Sequence, residues 1–140
     1  MRSIGKFYGL AGLRFGVGLT FPILAQRLDE RLGPWAVSGP ALAVATEALN
    51  DKAWRRKTLK KLQKGQSRLE EVLTARECHL VGSTALFVLV EHLRADELWH
   101  HLAENQILTR SFPGKPDWLR VGLPPSRAGF TKLDKALASF

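Results

Sequence analysis

The chain has 140 residues, 45% of them hydrophobic, and a mean hydropathy of −0.10. These values are typical of a folded protein with a core of its own, and they exclude a wholly disordered chain. The formal net charge is +8, from 21 lysines and arginines against 13 acidic residues, so a nucleic-acid or acidic-membrane partner has to be considered.

The first predicted elements are a glycine-rich stretch, a strand and a helix. Three glycines fall within residues 1–14, and alternating large and small residues predict a strand over residues 14–20. Proline favours the first helical turn, so a helix is expected over Pro22–Leu32, ended by a Gly-Pro pair. Residues 34–40 form a predicted loop. One strand and one helix cannot bury a hydrophobic core, so residues 1–45 are expected to be the edge of a larger folded unit.

A long helix is predicted over residues 41–76 from leucines at helical spacing. Gly65 is expected to mark a bend in it, because glycine costs about 1 kcal/mol relative to alanine inside a helix. Eight basic residues and no acid lie between residues 52 and 68, and elsewhere the 13 basic residues equal the 13 acids. The positive charge is therefore a local property of this helix.

The basic segment suggests a small nucleic-acid-binding module as one interpretation. Five basic side chains share a helix face: Lys57, Lys60, Lys61, Lys64 and Arg68. However, Trp54 is the sole aromatic residue in that segment, and no recognised nucleic-acid motif is present. A charge run on a helix is usually a solvated face, so we predict no nucleic-acid partner.

The remaining elements predict a compact α+β unit. Short strands are expected over residues 79–81 and 86–90, a helix over 96–104, two strands over 107–112 and 118–123, and a closing helix over 126–139. Ser126 is a suitable N-cap for that last helix.

The cysteines, histidines and apolar runs argue against a disulfide-bonded, a metal-binding or a membrane-spanning protein. Cys78 is the one cysteine, so an intrachain disulfide is excluded. His92, His100 and His101 lack zinc spacing, and we predict no metal site. The apolar run over residues 15–25 is interrupted by proline and is shorter than the ~20 residues of a membrane span. We therefore expect a cytoplasmic protein with no membrane partner.

The segment SIGKFYGLAGLR, residues 3–14, carries the chemistry of the N-terminal part. Its glycines let backbone approach a ligand closely, and Ser3, Lys6 and Arg14 could converge on one anion. It is neither a dinucleotide fingerprint nor a P-loop, because Phe7 follows the lysine where serine or threonine is required. From the residues alone, a phosphate loop beside a reactive amine and a glycine-rich turn with solvated charges stay equally open.

This segment resembles the cofactor-lysine segment of fold-type I pyridoxal-phosphate enzymes, in the aminotransferase branch that includes histidinol-phosphate aminotransferase. Ser3, Lys6, Gly9, Gly12 and Arg14 fall at the family's positions. The resemblance implies that Lys6 is the catalytic residue bound to pyridoxal 5'-phosphate, and that Ser3 and Arg14 hold the cofactor phosphate. Many relatives carry a hydroxyl residue immediately before the lysine, where this chain has Gly5.

The family's chemistry explains the lysine. An amine must be neutral to attack an aldehyde, and burial beside cations favours the neutral form. Once a substrate amine has replaced it, the freed lysine can move protons as a general acid and base. The cofactor itself is the electron sink, so the protein mainly binds and orients.

The C-terminal part resembles the family's small domain. Residues 107–110 resemble its strand G-[IV]-L-[VI]-R, and residues 118–124 resemble the segment whose arginine clamps the substrate α-carboxylate. The resemblance implies that Arg120 binds that carboxylate and Arg110 a substrate phosphate. A planar guanidinium suits both anions. Without the resemblance, two edge-strand arginines in surface ion pairs would be the simpler interpretation.

Within the branch, the chain most resembles the threonine-phosphate decarboxylases of the cobalamin pathway, on residues 5–14, 33–40 and 118–124. The implied reaction is that of a lyase, converting L-threonine O-3-phosphate to (R)-1-amino-2-propanol phosphate and CO₂. The implied partner is a phosphorylated amino acid, and the family forms homodimers. A histidinol-phosphate-type aminotransferase, which is a transferase, is the alternative.

The resemblance implies an α/β fold, namely the C-terminal portion of the fold-type I transferase fold. Residues 1–45 would be a remnant of the large, cofactor-binding domain, and residues 46–140 the interdomain helix and the α+β small domain. The family's aspartate for the pyridine nitrogen and its ring-stacking aromatic lie upstream of the matched segments. We therefore expect a truncated or mis-started product that is inactive alone.

Overall fold

The computed structural model describes residues 2–140, in mixed α/β structure. The chain divides into two compact units, one ending at Arg55 and the other running Arg56–Phe140. The boundary lies in the first turn of a helix, so no loop separates the two units.

The first unit contains a two-stranded ladder and two complete helices. Strand β1, Arg2–Ser3, pairs antiparallel with β2, Gly16–Val17, and the predicted strand over residues 14–20 is therefore much shorter. Helix α1 spans Pro22–Leu32 as expected. Gly33 follows it with φ +67°, a left-handed value that glycine adopts without steric cost.

The predicted helix over residues 41–76 is wrong as a single element. Helix α2 spans Gly39–Asn50 and α3 spans Lys52–Thr74, with Asp51 between them at ψ 79°. The Asp51 carboxylate accepts a hydrogen bond from the Trp54 N–H at 2.8 Å. This bond satisfies one of the free donors of the first turn of α3, so a new helix begins there.

Gly65 does not interrupt α3, which is continuous through it. A Cβ atom at this position would lie 3.2 Å from both Cδ atoms of Leu123. Gly65 therefore allows Leu123 to approach the helix closely. This contact, and not the expected bend, explains the glycine.

The second unit is a four-stranded antiparallel sheet covered on one face by helices. The sheet order is β3-β4-β6-β5, with β3 at His79–Thr84, β4 at Phe87–Glu91, β5 at Arg110–Phe112 and β6 at Lys115–Gly122. Helices α4, Ala95–Glu104, and α5, Arg127–Ala138, complete the unit. The Ser126 hydroxyl accepts from the Gly129 N–H at 3.2 Å, confirming the predicted N-cap.

The core lies between the sheet and the helices. Its fully buried side chains include Leu69 and Leu73 of α3, Val88 and Val90 of β4, Leu98 and Leu102 of α4, Leu119 of β6 and Leu133 of α5. Because strand residues alternate between faces, the side chains between the buried positions of β4 and β6 lie on the other face of the sheet. We call this second surface, which carries Phe87, Leu89, Trp118 and Arg120, the open face.

The first unit leaves much apolar surface uncovered. Helix α1 has no buried residue, and Phe21 and Trp35 are 83% and 94% exposed. The basic side chains over residues 52–68, most of which belong to the second unit, are also exposed. No helix within residues 2–140 combines the length and apolar character that crossing a bilayer requires.

Candidate functional site

The segment from Ser3 to Arg14 folds into a closed loop. Ser3 pairs with Gly16 in the β1–β2 ladder, so Ser3 and Arg14 lie on the two arms of one hairpin. Leu10 donates its N–H to the Ile4 carbonyl across the loop at 3.2 Å. The structure therefore brings the two predicted phosphate ligands to the same end of the hairpin.

Both predicted phosphate ligands keep donors available. The Ser3 hydroxyl oxygen accepts the Gly5 N–H at 3.1 Å, which leaves its own proton free to donate. Arg14 has φ 51° and donates one N–H to the Ala11 carbonyl at 3.1 Å, so its guanidinium is anchored while other N–H groups remain exposed. A phosphate oxygen is the kind of acceptor that such donors suit.

A steric constraint explains why position 5 is a glycine. A Cβ atom there would lie 3.3 Å from the Ala11 Cα and 3.4 Å from the Ser3 Oγ. A serine or threonine at this position would crowd the loop. Gly5 therefore keeps the cradle around the Ser3 hydroxyl open.

Lys6 lies in the loop between these two residues and is exposed. The next two side chains, Phe7 and Tyr8, pack on Trp54: the Tyr8 and Trp54 rings stack at 5.4 Å and the Phe7 ring meets Trp54 edge-on at 5.6 Å. Aromatic pairs of this kind contribute about 0.5–1.5 kcal/mol each. These ring contacts hold the loop that carries Lys6 against the start of α3. They also bury part of Trp54, the aromatic residue of the basic segment, in contacts within the chain.

The two predicted substrate-binding arginines are direct cross-strand partners. Arg110 of β5 lies opposite Arg120 of β6 in the antiparallel register, so both belong to the open face. Arg110 is exposed on an edge strand, whereas Arg120 is half-buried on an interior strand. The interpretation of two edge-strand arginines is therefore wrong for Arg120.

Aromatic rings support both guanidinium groups. The Arg120 Cζ lies 4.5 Å from the centre of the Phe87 ring, and the Arg110 Cζ lies 5.8 Å from that of Phe112. Phe87 is opposite Gly122, which has no side chain, so the ring can lean toward Arg120. A guanidinium held against a ring face has fewer orientations to lose when it binds an anion.

Neither arginine has an acidic partner within residues 2–140, because no carboxylate lies within 4.0 Å of either one. The nearest acid on the open face in the β4–β6 register is Glu91, opposite Trp118. A hydrogen bond with Asp117 raises the pKa of Glu91, so this acid is engaged by its own neighbour. Like charges placed directly opposite each other destabilise a sheet, and an anion between them would relieve that repulsion.

The substrate-binding roles of the two arginines stay predictions, and the sequence motifs gave no sign of the aromatic rings beside them. The alternation in Phe87–Glu91 does show that Phe87 shares a face with Leu89. The ring's place near Arg120 depends on the β4–β6 register, which local sequence does not specify.

Comparisons with known proteins agree with this architecture. Residues 1–137 match the family described as aminotransferase class I and II. The chain is similar to threonine-phosphate decarboxylases from a Sinorhizobium species, with 48% identity over 98% of this chain and 40% of the relative, and from Pseudomonas aeruginosa, with 43% identity over 100% and 42%. The chain thus spans about two fifths of the length of these relatives.

A solved structure matches over nearly the whole chain. It is a histidinol-phosphate aminotransferase from Sinorhizobium meliloti in complex with pyridoxal-5'-phosphate, with a TM-score of 0.85 at 23% identity, covering 99% of this chain and 40% of that one. This likeness shows that the two share a fold. With the family match over residues 1–137, it follows that the chain belongs to the class I and II aminotransferase family.

Proposed function

We propose that this chain is the C-terminal part of a pyridoxal-phosphate-dependent threonine-phosphate decarboxylase, acting in cobalamin biosynthesis. The observation that carries the proposal is the Arg110–Arg120 cross-strand pair without an acidic partner among residues 2–140. L-Threonine O-3-phosphate has a carboxylate and a phosphate on a short carbon chain. Two adjacent guanidinium groups suit such a compact substrate with two anionic groups.

The proposed roles divide among five residues of this chain. Ser3 and Arg14 hold the cofactor phosphate, and Lys6 binds the cofactor through its Nζ. The cofactor, when bound, supplies the electron sink for the bond that breaks at the substrate Cα. Arg120 binds the substrate carboxylate, Arg110 binds its phosphate, and the Nζ of Lys6 returns a proton to the Cα after CO₂ leaves.

The exposure of Lys6 and of apolar side chains in residues 19–23 supports a further part of the proposal. A reactive lysine needs an environment that favours its neutral form, and the described residues leave Lys6 exposed. Leu19, Phe21 and Ile23 are also largely uncovered. Activity therefore requires residues that the longer relatives carry beyond the matched segment, and this chain is inactive alone.

A histidinol-phosphate-type aminotransferase is the alternative within the same family. The solved enzyme of that kind shares the fold at 23% identity, whereas the two decarboxylases are 48% and 43% identical to this chain. These identities support the decarboxylase. No comparison supports a nucleic-acid-binding role, and the stacked position of Trp54 does not support one either.

The test is a chimera in which this chain replaces the matched part of the Sinorhizobium decarboxylase. We expect the chimera to release CO₂ from L-threonine O-3-phosphate, and reductive trapping of the cofactor followed by peptide mass measurement to mark Lys6. A Lys6→Ala chimera is the matched control, and it should show neither result. Amino transfer from histidinol phosphate to 2-oxoglutarate without CO₂ release would contradict the proposal.

A further inference from the structure

Gly122 of β6 lies on the open face, two residues after Arg120. It is paired with Phe87 of β4, and the strand pairing continues beyond it, because the Leu123 N–H donates to the Leu86 carbonyl at 2.9 Å. Gly122 is therefore part of the ladder and not the start of a turn. Residues on the same face of a strand follow each other at about 7 Å, so the Gly122 backbone is a near neighbour of the Arg120 side chain.

No feature of the fold requires a glycine at this position. Gly122 is outside the left-handed region, in which Gly9 and Gly33 are found. Apart from its chain neighbours, a Cβ atom at position 122 would have no heavy atom of the described residues within 4 Å. At Gly65, in contrast, it would lie 3.2 Å from Leu123. Alanine would therefore fit at position 122 without strain.

A glycine without such a reason lowers the stability of a strand. It loses more backbone freedom on folding than any other residue, and it gives the sheet no side chain. Glycines inside strands often mark a bulge, or a place where a ligand approaches the backbone closely. The β4–β6 register is regular from the Phe87–Gly122 pair to the Glu91–Trp118 pair, so a bulge does not explain Gly122. The close approach of a ligand does.

The space above Gly122 borders the arginine pair. The Arg120 Cζ lies 4.5 Å from the centre of the Phe87 ring, so a guanidinium and an aromatic ring are next to this space. At this end of the sheet the β5–β6 ladder reaches only to the Arg110–Arg120 pair, so no residue of β5 is paired with Gly122. A molecule held by the two arginines can therefore extend over the Gly122 backbone.

We infer that Gly122 is a specificity-determining residue, and that the carbon chain of the bound substrate, including the methyl group on its Cβ, occupies the space above it. This inference rests on the proposed function, since the substrate carboxylate on Arg120 and the phosphate on Arg110 bring the carbon chain to this end of the open face. The Phe87 ring supplies an apolar wall for the methyl group. Gly122 contributes only the room that a missing side chain leaves.

A size-dependent selectivity follows from this geometry. A side chain at position 122 would occupy the space that the methyl group of L-threonine O-3-phosphate needs. O-phospho-L-serine has the same amine, carboxylate and phosphate but lacks the methyl group, so the side chain should hinder it less. Both substrates make the same arginine contacts, and the ratio of their kcat/KM values therefore reports on the space above Gly122 itself.

The test measures kcat/KM for CO₂ release from both substrates in the chimera with the Sinorhizobium decarboxylase. We expect Gly122→Ala to lower the preference for L-threonine O-3-phosphate over O-phospho-L-serine by about threefold, and Gly122→Val by about tenfold or more. Gly82→Ala is the matched control, because Gly82 lies opposite Leu89 of the open face and a Cβ there would also be free of close contacts. It should leave the ratio unchanged.

The unfolding of this chain gives a readout that does not depend on activity. Because the fold does not use the glycine, Gly122→Ala should have a denaturant midpoint equal to that of the parent or higher. A lower midpoint would show that the fold itself requires Gly122, and it would overturn the inference without reference to any substrate.

The chimera separates this inference from the proposed function. If the parent chimera releases no CO₂ from L-threonine O-3-phosphate, the proposed function is wrong and the inference falls with it. If the parent chimera is active but the ratio is the same in Gly122→Ala and Gly122→Val, the inference alone is wrong.

Discussion

Arg110 and Arg120 face each other across the β5–β6 ladder, and neither is neutralised by an acid within residues 2–140. Two guanidinium groups in that relation repel each other in the free chain. The pair therefore lowers the stability of the free chain, and it becomes favourable when an anion lies between the two guanidinium groups. This is the physical basis for assigning the open face to a substrate with two anionic groups.

Removal of one charge from the pair should stabilise the free chain. Arg110→Gln is expected to raise the free energy of unfolding by roughly 0.2–1 kcal/mol, with less gain at high salt, because repulsion between opposite residues is relieved and salt screens it. Denaturant unfolding measures the change. Arg127→Gln, at the exposed start of α5, is the matched control and should have little effect. A loss of stability in Arg110→Gln would show that the pair is not repulsive.

The Phe87 ring should influence substrate affinity through Arg120. In the chimera, Phe87→Leu is expected to raise KM for L-threonine O-3-phosphate about two- to fivefold with little change in kcat, because a cation–π contact of ~0.5–1 kcal/mol is lost. Phe87→Trp should restore the parental KM. Phe112→Leu should have a smaller effect, since the Arg110 Cζ lies 5.8 Å from that ring. A fall in kcat with unchanged KM would contradict a positioning role.

Gly65 and Leu123 should be energetically coupled. Gly65→Ala alone is expected to change the free energy of unfolding by less than about 0.5 kcal/mol, because the gain in helix propensity is offset by the 3.2 Å approach to Leu123. In a Leu123→Ala background, the same substitution should stabilise by about 1 kcal/mol. A double-mutant cycle measures this difference. Equal effects in both backgrounds would mean that the contact does not govern the choice of glycine.

Cys78 should make stability depend on pH in the alkaline range. Burial raises the pKa of its thiol from 9.0 to about 11. Between these values the unfolded chain loses the thiol proton while the folded chain keeps it, so stability falls as pH rises from about 9 to 11. Cys78→Ser should show a shallower loss over that window in denaturant unfolding. If the free energy of unfolding fell equally with pH in the two chains, Cys78 would not be the source of the pH dependence.

Thiol reactivity gives an independent check on Cys78. The thiolate is the reactive form, and the folded chain holds this thiol protonated and buried at pH 8. Alkylation by iodoacetamide should therefore be slow in buffer and fast in denaturant. Equal rates in the two conditions would show that the thiol is accessible in the folded chain.

Elements with strong local signals were predictable from the sequence. Pro22 and the glycine after Leu32 fix the ends of α1, and Ser126 caps α5, because each acts through its own backbone or an adjacent turn. The phosphate-binding roles of Ser3 and Arg14, which the family motif implies, stay predictions, and the β1–β2 ladder brings the two residues to one end of a hairpin.

Features that depend on long-range contacts were not predictable in the same way. The break at Asp51 does not change the helical spacing of the leucines, so periodicity indicated one helix where there are two. The close approach of Leu123 to Gly65 and the pairing of Arg110 with Arg120 both depend on tertiary structure or strand register. No local pattern specifies either of them.

The most direct test of the account is the chimera's preference for L-threonine O-3-phosphate over L-threonine, measured as the ratio of kcat/KM for CO₂ release before and after Arg110→Met. Breaking a charge-assisted contact of this kind typically costs about 2–5 kcal/mol, so the substitution should reduce the preference by at least ~30-fold, mainly by lowering kcat/KM for the phosphorylated substrate. Arg127→Met should leave the ratio unchanged. An unaltered preference in Arg110→Met would contradict the assignment of the substrate phosphate to the Arg110–Arg120 pair.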